Sequence, residues 1–201
     1  MDNLNILEKQ LKPILDEYFR SDKIQSRLSG REVGHSLADE VKTKVLDSIE
    51  SLGHPLVPNL PIQGRSKYGD FNLYDHPVRI KFGISGKGAP NLLSLPKLIK
   101  GIDEKIISSL YIIKIHFSTT SNSTKVYAFD LFDYLHFVNF NGGTGQTMLR
   151  ESEFFLGYGD PEVIPTIDGK LNKLIDIYVS NMNNHIELKQ RQLTSHEKLR
   201  R

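Results

Sequence analysis

Asp70 and Lys81 are the residues of this sequence whose chemistry and spacing most directly indicate a functional site. A carboxylate is a ligand for hard, oxygen-preferring cations such as Mg²⁺. Arg79 stands two positions before the lysine, and a guanidinium has forked donors that suit a phosphate or a carboxylate. The stretch therefore contains the residue types that bind a cation and an anion at one place, provided that the fold brings them together.

Polar and apolar residues alternate on both sides of Asp75-His76-Pro77, which predicts two half-buried strands joined by a tight turn. We expect a loop over residues 75–78, with Tyr74 opposite Arg79. In this register both strands contribute to a buried face, formed by Phe71, Leu73, Ile80 and Phe82, and to a polar face, formed by Asp70, Asn72, Arg79 and Lys81. A slip by a single residue would bury Asp70 and Asn72, so the pattern selects this register. The ordinary alternative for the polar face is a solvated surface of ion pairs.

The predicted hairpin lies between predicted helices. Apolar residues at helical spacing predict helices over residues 31–52 and 95–104. β-branched and aromatic residues predict strands over 110–117 and 126–132. The proline-rich stretch 56–62 is expected to be extended or to lie at a sheet edge. The predicted order of elements is therefore α-β-β-α-β.

This order, with an aspartate at the start of one strand and x-Ile-Lys on the next, resembles the core of the PD-(D/E)XK nucleases over residues 30–132. The resemblance implies an α/β fold with a restriction-endonuclease-like core, in which a mixed central β-sheet is flanked by helices. Asp70 matches the family aspartate that holds Mg²⁺, and Lys81 matches the family lysine beside the attacking water. The resemblance also implies the carbonyl of Ile80 as a second metal ligand.

Two positions depart from the family pattern. Gly69 stands where the family often has proline, and Arg79 stands where it usually has an acid. Arginine has no acceptor atom and cannot ligate a metal ion. Arg79 is expected either to contact the phosphate or to form an ion pair with Asp70.

Glu40 is the best candidate for the missing acid, because it lies at the edge of the apolar stripe on the first core helix. Members of the family often supply a glutamate from this helix. The alternative for Glu40 is a surface pair with Lys44, four residues on. Asp75 is the other acid to consider, although a turn aspartate more commonly bonds its own backbone.

Two loops are candidates for contact with DNA. The glycine-rich stretch 139–151 contains Gln146 and Arg150, and these residue types commonly bind adenine and guanine edges in the major groove. A structural turn is the alternative for this stretch. The second candidate is the loop 85–91, through Lys87 and Asn91.

Composition is compatible with a nuclease. The chain has 201 residues and a formal net charge of +2, and we expect one domain over 1–201, with an N-terminal helix over 3–20 and a C-terminal helix over 168–195. The absence of cysteine excludes disulfides and thiolate metal sites and fits a cytoplasmic protein. No apolar run has the length of a membrane span. The histidines lack the spacing of a zinc site, and His116 and His136 are expected to be structural.

The prediction for function is a Mg²⁺-dependent, sequence-specific endonuclease of double-stranded DNA, most like a type II restriction enzyme. A palindromic target would imply a homodimer, because two-fold DNA is best matched by a two-fold protein. The alternatives are a structure-selective or repair nuclease of the same fold and a non-catalytic module that binds nucleic acid or protein. Discrete bands or a smear from digested plasmid DNA would distinguish the two nucleases. Cleavage that is lost in EDTA would distinguish both from a binding module.

Overall fold

The computed structural model describes residues 2–29, 35–58, 68–85, 91–141 and 144–198. The chain divides into two compact units. The first unit consists of Met1–Pro90 and Ile107–Asp133, and the second consists of Asn91–Ile106 and Tyr134–Arg201. Among the described ranges, no helix is both long enough and apolar enough to cross a membrane.

The helices of the described residues are α1 Asp2–Arg20, α2 Asp22–Ser29, α3 His35–Ser51, α4 Leu95–Asp103, α5 Glu151–Gly157 and α6 Ile167–Lys198. The strands are β1 Leu56–Pro58, β2 Phe71–Leu73, β3 His76–Ile84, β4 Tyr111–Ser118, β5 Ser123–Asp130, β6 Val138–Asn141 and β7 Gln146–Leu149. A 3₁₀ segment, Leu131–Phe137, is kinked at Tyr134, where the chain passes from the first unit to the second.

The first unit is a five-stranded sheet with the strand order β1-β2-β3-β4-β5. The β3–β4 pair is parallel and the other pairs are antiparallel, so the sheet is mixed. The predicted α/β class with a mixed sheet flanked by helices is confirmed. The edge position of β1 agrees with the prediction for residues 56–62, of which 59–62 lie outside the described residues.

One face of the sheet is covered by helices α1 and α3, which contact β5 and β3 respectively. The helical stripes explain this packing, because apolar residues recur every three or four positions along one side of each helix. The core consists of Leu7, Leu11, Leu15, Phe19, Ile24, Leu37, Val41, Val45, Ile49, Phe71, Leu73, Val78, Ile80, Ile113, Ile115, Phe117 and Val126. Alternate residues of β3 and β4 therefore point away from these helices.

The β2–β3 hairpin is tighter than the sequence predicts. Leu73 pairs with His76, so the loop consists of Tyr74 and Asp75 rather than residues 75–78. Both loop residues have positive φ angles, 51° and 64°, as a two-residue turn of type I′ requires. The hydroxyl of Tyr74 is hydrogen-bonded to the ring of His54, and this bond holds Tyr74 in place.

The predicted pairing of Tyr74 with Arg79 is therefore wrong. In the observed register Phe71 pairs with Val78, and the backbone N–H of Asp70 also donates to the carbonyl of Val78, so the regular pairing of β2 with β3 ends at Phe71. The observed register differs from the predicted one by an even number of residues along β2. Side chains alternate between the two faces of a strand, so an even shift leaves each residue on its predicted face. The predicted buried and polar faces are thus recovered although the predicted partners are not.

The second unit contains the antiparallel β6–β7 hairpin and the helices α4, α5 and α6. Helix α6 contacts α4 and β6. The chain before α4 pairs with β7, because Leu92 donates from its backbone to Thr147 and Ser94 forms a bridge with Gln146. The buried hydroxyl of Thr147 donates to the carbonyl of Leu93 at 2.6 Å.

Candidate active site

Gly69 allows the chain to lie directly against β3 at the start of β2. A Cβ atom at this position would lie 2.7 Å from both the backbone nitrogen and the backbone oxygen of Val78, which is closer than real Cβ contacts. The next residue, Asp70, donates from its backbone to the carbonyl of Val78 at 2.7 Å. A glycine at position 69 is therefore needed for this close backbone approach, which positions Asp70.

The carboxylate of Asp70 is engaged at both oxygens. Oδ1 lies 2.8 Å from Nζ of Lys42 on α3. Oδ2 accepts a hydrogen bond from the backbone N–H of Ile80 at 3.1 Å. The side chains of Lys42 and Asp70 are 36% and 20% exposed, so the pair is partly shielded from water. The contact with Ile80 fixes the carboxylate to the middle of β3.

Lys81 lies on the polar face of β3 and is surrounded mainly by positive charge. Burial, with smaller contributions from the charges of Arg79 and Lys42, lowers the pKa of Lys81 to about 8, while the charge of Asp70 acts in the opposite direction. Burial also lowers the pKa of Arg79 from its ordinary value, again against the charge of Asp70. The cluster thus combines one carboxylate with three basic groups, and we call Asp70, Lys42, Arg79 and Lys81 the charged cluster.

A fourth basic residue lies on the neighbouring strand. Lys114 on β4 is in register with Lys81, and parallel partners project from the same face of a sheet. Its side chain is only 1% exposed, which is unusual for a lysine. Further along the same face, His116 is hydrogen-bonded to the hydroxyl of Ser85 at 3.1 Å, within the first unit.

Glu40 lies on the other side of α3 from Lys42. Two positions along a helix correspond to about 200° of rotation, so these side chains project from opposite flanks of the stripe around Val41. Lys42 contacts Asp70, whereas Glu40 accepts a hydrogen bond from the hydroxyl of Tyr18 on α1 at 3.1 Å. This contact directs Glu40 towards α1 and leaves its predicted metal role a prediction without structural support.

The residues present fit a magnesium ion only in a limited way. Mg²⁺ is commonly held by one or two carboxylates together with water and substrate phosphates. Asp70 supplies one such carboxylate, but Lys42 must leave Oδ1 before a cation can take that position. In the described ranges no three His, Asp or Glu side chains converge on a metal position. Asp75 is exposed in the turn, as expected for a turn residue. Within the described ranges, the structure therefore offers a ligand for magnesium rather than a preformed cage.

The predicted DNA-contacting residues are Lys87, Asn91, Gln146 and Arg150. Lys87 lies outside the described residues. Asn91 is exposed before α4, and Gln146 is half-buried at the start of β7, opposite Asn141. Both belong to the second unit, whereas the charged cluster belongs to the first.

Arg150 is used within the second unit. Its guanidinium donates to the carbonyl of His136 and forms an ion pair with Glu153 at 2.7 Å. Its backbone N–H donates to the carbonyl of Phe137. These contacts connect the end of β7 to the 3₁₀ segment and the start of α5. They favour the structural alternative for the glycine-rich stretch over base recognition by this residue.

Comparison of the chain with models of protein families gives no match, and comparison with curated proteins gives none either.

Two lysines near Asp70 and Lys81 could not be recognised as site residues from the sequence. They are Lys42 of the charged cluster and Lys114 on the neighbouring strand β4. Glu40 and Lys42 flank the same apolar stripe, and the sequence does not determine which flank faces β3. The signal for Lys114 is a lysine within an otherwise apolar strand, Tyr-Ile-Ile-Lys-Ile-His-Phe-Ser. Such a lysine either lies on a solvated face or has a specific position in the interior, and its burial identifies the second case.

Proposed function

We propose that the protein is a Mg²⁺-dependent endonuclease with a restriction-endonuclease-like core that cleaves double-stranded DNA. One observation carries the proposal: the β2–β3 hairpin brings Asp70 and the half-buried, cationic Lys81 to one face of the sheet, next to Arg79. The order along the chain is α3, β1, β2, β3, α4, β4, which contains the α-β-β-α-β order of that core with the short edge strand β1 added after α3.

The charges of the cluster suit a phosphodiester. Three basic groups surround one carboxylate, so the cluster has an excess of positive charge that a phosphate would compensate. Arg79 presents forked donors for phosphate oxygens. Half-buried like charges repel each other and lose hydration, and perturbed groups of this kind are frequent at functional sites. A bound phosphate would relieve both costs.

Lys81 has the chemistry of a residue that orients water and compensates charge. Hydrolysis of a phosphodiester requires a positioned water and stabilisation of the charge on the departing oxygen. With its pKa at about 8, Lys81 is mainly an ammonium at neutral pH, and it therefore donates hydrogen bonds rather than removing protons. When bound, Mg²⁺ would supply positive charge at the scissile phosphate, and Asp70 would hold it.

Lys42 gives Asp70 a counter-charge before substrate arrives. The ion pair occupies Oδ1 of Asp70, which is the atom that a metal ion would need. An incoming phosphate offers Lys42 a second anion, so Lys42 can move from Asp70 to the phosphate and release that oxygen. We therefore expect bound DNA to increase the affinity for the cation, and the bound cation to increase the affinity for DNA.

Digestion of phage DNA is the direct test of the proposed function. The protein is incubated with the DNA in Mg²⁺ and in EDTA, and the ends of the products are sequenced. Fragments of discrete size with one common end sequence, formed in Mg²⁺ alone, are expected of a type II restriction enzyme. A smear would indicate the nuclease that selects DNA structure. No cleavage under any metal condition would contradict both nucleases.

A non-catalytic nucleic-acid-binding module is the second candidate, and Lys42 is the observation that favours it. A lysine bound to Asp70, together with an arginine at the position of the family acid, produces an anion-binding cluster that requires no metal. Such a module would bind DNA equally well in Mg²⁺ and in EDTA. Binding that is improved by Mg²⁺ or Ca²⁺ would support the nuclease instead.

A further inference from the structure

Helix α6 has two apolar faces, and its inner face packs within the second unit. Leu174 is fully buried. The ring of Tyr178 meets the ring of Phe140 edge to face, with centroids 5.6 Å apart. Helix α6 contacts α4 and β6, and the ring pair of Tyr178 and Phe140 belongs to its contact with β6.

The outer face of α6 is a second apolar stripe, formed by Ile175, Val179, Met182, Ile186 and Leu193, and we call it the outer stripe. The exposures of Ile175, Val179, Ile186 and Leu193 are 39%, 49%, 48% and 63%. At 100° per residue the centre of the outer stripe lies roughly 90° from the inner face around the helix axis. The outer stripe is therefore separate from the face that α6 uses for its own unit.

The spacing of the outer stripe is that of a helix-pairing seam. Its members recur at intervals of four, three and four residues, and Lys189 occupies the next position before Leu193. An alternation of threes and fours keeps apolar side chains on one line, where they fit into the holes of a facing helix. An apolar stripe that merely happened to be exposed would not require this alternation.

We propose that the outer stripe binds the outer stripe of a second copy of this chain, with the two α6 helices antiparallel. A two-fold contact is self-complementary and closed, so each copy buries the same residues against the other. The antiparallel arrangement sets Ile175 against Leu193 and Met182 against Ile186. It also sets Lys189 against Val179, whereas a parallel arrangement would bring the two Lys189 ammonium groups together on the seam.

The residues that flank the outer stripe support the choice of a second copy. Asn183 and Gln190 lie on one flank, and His185 and Gln192 lie on the other. In the antiparallel arrangement Asp176 lies opposite Gln190, so no pair of like charges is brought together along the flanks. In helix pairs between different chains, charged residues on the flanks usually select the partner. The flanks of the outer stripe lack such a pattern of charges, which favours pairing with an identical helix.

The test is the oligomeric state of the full chain, measured by sedimentation equilibrium without DNA or metal. We expect a dimer that dissociates on dilution. Ile186→Glu, which places a charge on the outer stripe, should raise the dissociation constant by at least about tenfold. Leu188→Glu is the matched control, because Leu188 is 53% exposed on the same helix but lies off the outer stripe. It should leave the dissociation constant unchanged.

Two results would overturn the proposal: a monomer at all concentrations, or equal weakening by the two glutamate variants. Thermal unfolding of both variants checks that each is folded. Because the assay contains no DNA and no metal, its outcome is independent of the nuclease proposal.

The orientation has its own test, because the chain contains no cysteine and an introduced one is unique. A mixture of Val179→Cys and Lys189→Cys chains should form the mixed disulfide on mild oxidation. A disulfide between two Lys189→Cys chains in preference to the mixed product would contradict the antiparallel arrangement.

Discussion

The two hairpins of this protein use their polar residues differently. In the β6–β7 hairpin, the side-chain oxygen of Asn139 accepts from the backbone of Phe140 at 2.8 Å, and that of Asn141 accepts from Thr144 at 3.3 Å. In the β2–β3 hairpin, charged side chains face one another instead, and a lysine is held where its pKa falls to about 8. Bonds to neighbouring backbone build a turn, whereas half-buried like charges lower stability and are retained where they serve a function. This difference is the reason for proposing the β2–β3 hairpin as the candidate site.

The largest effect on stability is expected from Gly69→Ala, which affects the backbone approach that positions Asp70. The new Cβ would lie 2.7 Å from two backbone atoms of Val78, so β2 must move away from β3. We expect a loss of about 1–3 kcal/mol in the free energy of unfolding in urea, the usual cost of overpacking. Cleavage should fall as well, because Asp70 moves with β2.

Gly53→Asn is the matched control for this substitution. Gly53 has a φ of 78° with no atom within 4 Å of a Cβ, and asparagine tolerates that conformation. If Gly69→Ala is as stable as wild type, the close approach is not needed.

A pH titration should separate Lys81 from ordinary surface lysines. Its pKa is lowered from 10.5 to about 8 in the folded protein, so between these pH values the unfolded chain binds more protons than the folded one. The free energy of unfolding of the wild-type protein should therefore rise with pH across this range. Compared with Lys81→Met, the rise should be larger by about 1–3 kcal/mol. Chemical denaturation at several pH values measures the difference. Parallel curves for the two proteins would show that Lys81 is not perturbed.

Substitutions on the two flanks of α3 should have different effects. Lys42→Gln removes the ammonium from Oδ1 of Asp70, so half-maximal cleavage should require less Mg²⁺, by about two- to five-fold for a partly exposed ion pair. Glu40→Gln should leave the Mg²⁺ requirement unchanged and cost less than about 1 kcal/mol of stability, because the amide oxygen still accepts from Tyr18 and only the charge is lost. A higher Mg²⁺ requirement in Glu40→Gln would instead make Glu40 the missing acid.

The smallest effect is expected from Arg150→Ala in the second hairpin. Loss of the contacts with His136 and Glu153 should cost about 1 kcal/mol of stability. Discrimination between the cognate DNA site and single-base variants, measured as binding in Ca²⁺, should not change. A loss of discrimination of about 1–3 kcal/mol at one base pair would assign base recognition to Arg150 after all.

Much of the fold follows from local patterns in the sequence. The helices predicted over 3–20, 95–104 and 168–195 correspond to α1, α4 and α6, because each has a continuous apolar stripe. Strand β5 begins and ends earlier than predicted, since Leu131 and Phe132 enter the 3₁₀ segment. The short helix α2 was not predicted, because so few residues carry little periodic signal.

The charged cluster could be predicted only in part, for a physical reason. Alternation along the strands determines the face on which Asp70, Arg79 and Lys81 lie, and this is a local property. The position of Lys42 depends on how α3 crosses the sheet, and that of Lys114 on a parallel pairing between distant strands. Such relations are set by packing between elements and leave no local pattern.

Single-turnover cleavage by Asp70→Asn tests the central claim most directly. The change removes the charge of the carboxylate while keeping its size, and Asp75→Asn, an exposed acid in the same hairpin, is the matched control. We predict that Asp70→Asn loses cleavage by a factor of about 10²–10⁴, while remaining folded, and that Asp75→Asn keeps the wild-type rate. Near wild-type cleavage by a folded Asp70→Asn protein would show that the charged cluster is not the active site.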